Sequence, residues 1–133
     1  MDILLDTHIM LWAIADDEQL PQKAREMITD GDNEIFFSIV SLWEIQIKHI
    51  LHPDQMKSAG TVAGFCRRSG YKELELTDKS IDELLRLSRP DDAPRHKDPF
   101  DKMLICQSIA EDMLFLTHDS LLGAYDTGNI LTV

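Results

Sequence analysis

Apolar residues in this chain fall into two kinds of run. Short unbroken ones, Ile3-Leu4-Leu5 and Leu114-Phe115-Leu116, suit strands covered on both faces. Glu34-Ile35-Phe36-Phe37, the weakly alternating Tyr71–Leu76 and the terminal Ile130–Val133 read as further strands. Helical spacing fills the intervals, first around His8–Ala15 and Pro21–Ile28. Ser38 is placed to cap a helix running to about Leu51, with Val40, Trp43, Ile47 and Ile50 as its apolar stripe. Thr61–Ser69 forms another helix that Gly70 ends. Asp78 is placed to cap a helix carrying Ile81, Leu84, Leu85 and Leu87. Asp98-Pro99 opens the clearest helix, which ends near Glu111, and a short one covers Ser120–Tyr125. His52–Ser58 and Arg89–Lys97 read as loops, and Trp12 and Trp43 as core. Strands separated by helices predict an α/β domain with a mostly parallel sheet.

Composition narrows this picture. The 133 residues are 44% hydrophobic, enough for one domain spanning 1–133 with its own core. No linker, repeat or low-complexity tract divides them. No apolar run reaches the ~18 residues of a membrane span, and the acidic start Met1-Asp2 is wrong for a secretory signal. Cys66 and Cys106 have no CxxC spacing, which excludes a zinc or disulfide framework. The expected location is a reducing cytoplasm.

Charge changes the picture most. Lys and Arg total 13 against 24 Asp and Glu, a net charge of -11. Loose electrostatic binding of nucleic acid is therefore excluded. An acidic pocket that recruits cations, or a basic protein partner, fits this balance.

Four acids stand at unusual places. Asp6 and Asp119 each follow an apolar strand, at the end where open parallel sheets bind ligands. Each could equally cap the helix after it. Glu44 interrupts an apolar helical stripe, where an unpartnered Glu is rarely buried. Ser41-x-x-Glu44 would be a capping box only if the helix began three residues later. Asp98 before Pro99 has the position of an N-cap, which leaves Asp101, one turn in, as the candidate ligand. Two such charges repel by about 3–4 kcal/mol at ~4–5 Å and an effective dielectric constant of ~20. Three close pairs would cost roughly 10 kcal/mol, comparable to a domain's whole stability. A shared cluster must therefore hold protons or divalent cations, and hard oxygen donors without paired His or Cys favour Mg²⁺ or Mn²⁺. Nucleotide-binding and hydrolase-elbow motifs are absent.

Taken in order, these segments resemble the PIN-domain family, in particular VapC-type toxins of toxin–antitoxin pairs. The resemblance rests on four segments: Leu5-Asp6-Thr7-His8 with Leu11-Trp12; Ser38-Ile39-Val40-Ser41-Leu42-Trp43-Glu44-Ile45; His96-Lys97-Asp98-Pro99-Phe100-Asp101-Lys102; and Leu116-Thr117-His118-Asp119. It implies a three-layer α/β/α sandwich and metal-dependent endonucleolytic cleavage of RNA. Carried over by motif, Asp6 and Asp101 would ligate Mg²⁺ or Mn²⁺, and Glu44 and Asp119 would complete a catalytic quartet. Thr117 would orient Asp119, and Asp98 would support the third motif. RNA would be the substrate, a cognate antitoxin the partner, and two copies of the chain would form a homodimer. Lys102 stands where the family more often has Arg, and His52–Ser58 lacks the expected Gly-Leu pattern.

Three rival readings bear on the same residues. A receiver domain would need paired acids after the first strand and a late Lys, yet only Asp6 and nothing beyond Lys102 is present. A haloacid-dehalogenase phosphatase would need Asp-x-Asp where this chain has Asp6-Thr7-His8. An inactive PIN-like module that only binds a partner would have no use for the full quartet.

Overall fold

Five parallel strands carry the molecule, a computed structural model describing residues 1–133. The strands are β1 (Asp2–Leu5), β2 (Glu34–Ser38), β3 (Lys72–Leu74), β4 (Leu114–Thr117) and β5 (Ile130–Thr132), in the order β3-β2-β1-β4-β5. Every pairing is parallel, so the sheet is wholly rather than mostly so. The chain moves outward one way from β1 through β2 to β3, then crosses back to β4 and β5. The order therefore reverses between β1 and β4, and in such sheets that switch opens a crevice at the carboxyl ends.

The helices are α1 (Thr7–Ile14), α2 (Gln22–Thr29), α3 (Ile39–Leu51), α4 (Ala59–Arg68), α5 (Asp78–Asp82) and α6 (Pro99–Ala110). Glu83–Leu85 and Ser120–Ala124 are 3-10 turns, the second where an ordinary short helix is expected. Alternation along the strands assigns the two faces. Ile3, Leu5, Ile35, Phe37 and Leu116 pack with Ile9, Met10, Ala24, Val62 and Cys66. Leu4 and Phe115 pack with Leu104, Ile105, Leu122 and Tyr125 on the other face. Helices thus cover both sides of the sheet, the three-layer α/β/α arrangement. Gly70, at φ +84°, ends α4: its N–H donates to Arg67 C=O while Tyr71 N–H donates to Cys66 C=O, the paired bonds of a left-handed cap.

Two helices differ from their sequence reading. The buried face of α3 is Val40, Ser41, Leu42, Glu44 and Ile45, while Trp43 is 59% exposed and Ile47 and Ile50 also face outward. Trp43 is thus a surface residue packed edge-on against Phe100. Trp12 lies half-buried against the core. In the second case Thr77, not Asp78, precedes α5, and Ile81, Leu84 and Leu85 are exposed rather than buried. Five residues of α-helix followed by a 3-10 turn are too short to hold one stripe inward.

Candidate active site

Each of the four acids occupies a position that the local fold dictates. Asp6 leaves β1 extended (φ -62°, ψ 154°) and begins α1. Its carboxylate is 5% exposed and both oxygens are engaged: Oδ1 accepts from Thr7 N–H at 2.8 Å and Oδ2 from the Thr117 hydroxyl at 2.6 Å. Thr117 Oγ1 in turn accepts from Asp119 N–H at 3.0 Å. One hydroxyl at the end of β4 therefore ties the two strand ends together across the switch. Its direct side-chain contact is with Asp6, and Asp119 is held through its backbone. Asp119 Oδ1 accepts from Leu121 N–H at 2.9 Å, opening the 3-10 turn.

Ser38 is both the last residue of β2 and the cap of α3, its hydroxyl accepting from Val40 N–H at 2.9 Å. The helix thus starts without a loop, and Ser41 lies inside it, so Ser41 and Glu44 form no capping box. Instead Ser41 shares a buried 2.8 Å hydrogen bond with Thr7, which ties α3 to α1 beneath the acids. Glu44 is 7% exposed. Lys48 Nζ reaches its Oε2 at 3.1 Å, while Oε1 is buried without any partner.

Asp98 caps α6, its Oδ1 accepting from Phe100 N–H at 2.9 Å and Asp101 N–H at 3.3 Å, with Pro99 at the first helical position. Asp101, freed from capping, meets His96 Nε2 through Oδ2 at 3.1 Å. The His96 ring is 5% exposed, and its Nδ1 lies 2.7 Å from the Tyr125 hydroxyl. If the phenol donates to Nδ1, Nε2–H is left to face Asp101. His96 escapes sequence reasoning because it lies in a loop, where no periodicity places it against Asp101. Lys48 is a second omission, visible only as the i+4 neighbour of Glu44.

Electrostatics show that these groups share one neighbourhood. Burial first, then the charges of Asp6, Asp98, Glu44 and Asp119, push Asp101 up to about 8. Asp6 is raised mainly by burial, against the lowering pull of Thr117 and the Thr7 N–H, with Glu44 adding a further upward push. His96 is lowered by burial and by the nearby Arg89 cation. No three His, Cys, Asp or Glu side chains stand close enough together to hold a metal ion as they are. The donor set nevertheless suits a hard cation: its atoms are carboxylate oxygens, one is buried and unpartnered, and Asp101 resists ionising until opposite charge arrives.

Cavities flank the acids on two sides. One of about 310 Å³ is lined by Asp6, His8, Trp12, His118 and Asp119. Another, of about 410 Å³, is lined by Glu44, Lys48, Lys97 and Asp98 with Ile47, Pro99 and Phe100. A separate apolar cavity between α1 and α4 shares only Trp12 with them.

Comparison with known proteins agrees with this fold. The model of the PIN domain family matches residues 3–127. No curated protein matches the chain. Among solved structures, VapBC2 from Rickettsia felis bound to a promoter DNA fragment superposes with a TM-score of 0.62 and 14% identity, covering 100% of this chain and 98% of the other. DNA-bound VapBC from Salmonella typhimurium gives 0.65 and 15%, covering 99% and 98%. No helix is long and apolar enough to cross a membrane.

Proposed function

The chain belongs to the PIN-domain family, and on that premise we propose that it is a Mg²⁺- or Mn²⁺-dependent endoribonuclease acting as the toxin of a toxin–antitoxin pair. Nuclease activity is typical of the family. The observation that carries the reading is the gathering of Asp6, Glu44, Asp98 and Asp119 around the half-buried Asp101 at the sheet switch, which together with burial pushes Asp101 up to about 8. An arrangement this costly to charge has a reason to exist where a cation and a phosphodiester meet.

Asp6 and Asp101 would hold the cation, with Glu44 and Asp119 completing the set. Bound there, Mg²⁺ or Mn²⁺ supplies Lewis-acid stabilisation of the charge developing on phosphate. Thr117 and the Thr7 N–H keep the Asp6 carboxylate in one orientation. Asp98 spends its side chain on the start of α6 and so fixes where Asp101 points. Glu44 Oε1, buried and without a partner, is an acceptor left open for a cation or a proton. Hydrolysis then joins the water oxygen to phosphorus and breaks the bond to the leaving ribose oxygen.

A protein partner is supported by the surface. Net charge is -11, and α3 leaves Trp43, Ile50 and Leu51 largely exposed. A basic antitoxin segment suits the first feature and could place a cation among the carboxylates. A second copy of the chain suits the second. Cytoplasmic residence follows from this role.

The test is cleavage of mixed RNAs by the pure, partner-free protein. Cuts that require Mg²⁺ or Mn²⁺, stop with EDTA and vanish in Asp101→Asn are the expected result. RNA left intact with either metal would overturn the nuclease reading and favour a partner-binding module. Co-expression with the adjoining small reading frame tests the toxin role, through a stable complex whose cleavage is suppressed.

A further inference from the structure

We propose that the cavity between Trp12 and His118 is a nucleobase pocket, which holds one unstacked base of the RNA beside the carboxylates. The inference rests on the nuclease reading and adds how this chain grips its substrate. His8 and Trp12 stand one turn apart on α1, their rings 5.9 Å from centre to centre. His118, from the turn after β4, meets Trp12 edge-on at 5.5 Å and 69°. The three rings line the cavity of about 310 Å³ whose remaining wall is Asp6 and Asp119. A planar heteroaromatic ring fits both its size and its lining.

Two further observations favour a base over other occupants. Trp12 packs against the buried cluster on the α1 side of the sheet, and the His118 ring is bonded through Nδ1 to the Val133 carbonyl. These two walls are therefore held in place before any ligand arrives, which lowers the ordering cost of binding. The second observation is charge. At -11 the protein gains little from general attraction to phosphates, so affinity has to come from local contacts. Stacking on an aromatic ring supplies affinity for a base without any charge requirement. Lys48 and Lys97 line the second cavity, beside Glu44 and Asp98, where the phosphate of the adjoining nucleotide would lie. Backbone is thus held on the lysine side and base on the indole side.

The experiment uses a Trp43→Phe protein, in which Trp12 is the sole indole, with Mg²⁺ present. AMP, UMP and ribose 5-phosphate, none of which has an internucleotide bond to cut, are titrated while indole fluorescence is read. Quenching by the nucleotides and none by ribose 5-phosphate is the expected result. Trp12→Leu and, separately, His118→Ala should raise KM for a short RNA about tenfold, the equivalent of ~1.4 kcal/mol of stacking, while kcat stays within a few fold. Equal quenching by ribose 5-phosphate overturns the pocket, as does an unchanged KM in His118→Ala, the variant that spares the core should Trp12→Leu not fold. RNA cleavage without nucleotide quenching refutes the pocket and leaves the nuclease standing. Base-dependent quenching without any RNA cleavage supports the pocket and refutes the nuclease.

Discussion

The two acids at strand ends and the two on helices act on one another near the sheet switch under opposite conditions. Asp6 and Asp119 sit where the chain leaves a strand, so unpaired backbone N–H groups of the next turn are at hand. Asp6 has both oxygens engaged and Asp119 has one. Glu44 projects from inside a helix, where backbone N–H groups are committed to i-4 carbonyls, and around Asp101 the free N–H groups of the first turn are taken by Asp98. What remains is Lys48 for Glu44 and His96 for Asp101. One oxygen of Glu44 stays buried and unpartnered, and Asp101 is driven up to about 8. Strand ends thus hold acids in place, whereas helix positions leave them electrostatically unsatisfied. On this view the strand pair sets the geometry of the site and the helix pair provides most of its pull on a cation.

The sharpest break of that comparison is Asp101→Asn. Its folded-state value of about 8 lies above the ordinary 3.8. The stability it contributes is therefore present below pH ~4 and lost as pH climbs through about 8. At ~1.4 kcal/mol per unit, the difference is several kcal/mol. Metal-free wild type should lose melting temperature between pH 4 and 8 more steeply than Asp101→Asn does. Near pH 8 the variant should melt several degrees higher. Mg²⁺ or Mn²⁺ should raise the melting temperature of wild type and barely move the variant. Parallel pH profiles and equal metal shifts would show that Asp101 is not the unsatisfied member.

Thr117→Val tests the strand side and should have the next largest effect. It removes the donor to Asp6 Oδ2 and the acceptor for Asp119 N–H while keeping the shape. A hydrogen bond to a charged group is worth about 1.5–3 kcal/mol, so the variant should lose about 2 kcal/mol in denaturant melts. Its metal-induced stabilisation should shrink only in part, because the helix acids remain. If Thr117→Val costs nothing in stability yet abolishes the metal effect, positioning and attraction are not divided as described.

The same division decides what was legible before the fold was known. Strand ends are written in the chain as an apolar run followed by an acid, so Leu5-Asp6 and Leu116-Thr117-His118-Asp119 stood out. The α/β class followed from the alternation of runs and periodic segments. Periodicity misreads helix α3 because it is apolar on more than one side: Val40, Trp43, Ile47 and Ile50 match helical spacing, while the apolar residues that face inward are Val40, Leu42 and Ile45. Periodicity cannot choose between two apolar faces when the choice is made by the sheet. Glu44 interrupts a stripe of which only Val40 faces inward, yet it is itself buried because Ser41 and Ile45 share its inner face. His96 stayed hidden, since its contacts with Asp101 and Tyr125 are made by the return of a loop.

The finest test lies within the third motif, where two acids three residues apart divide the work. Asp98 Oδ1 serves two N–H groups at the start of α6, and Asp101 does none of that capping. A good cap can be exchanged for another, so Asp98→Asn should change stability by only a few tenths of a kcal/mol, whereas Asp98→Ala should cost about 1 kcal/mol. Neither loses a proposed ligand, but Asp98→Asn also removes one of the charges that raise Asp101. Its metal-free protein should therefore show a slightly flatter loss of melting temperature with rising pH, and its cleavage of RNA should stay close to wild type. Asp98→Ala should leave that electrostatic change in place while loosening the helix start that aims Asp101, so cleavage should fall further in Ala than in Asn. If Asp98→Asn alone abolishes both the metal-induced stabilisation and cleavage, Asp98 is a ligand, and the roles of the two acids are reversed.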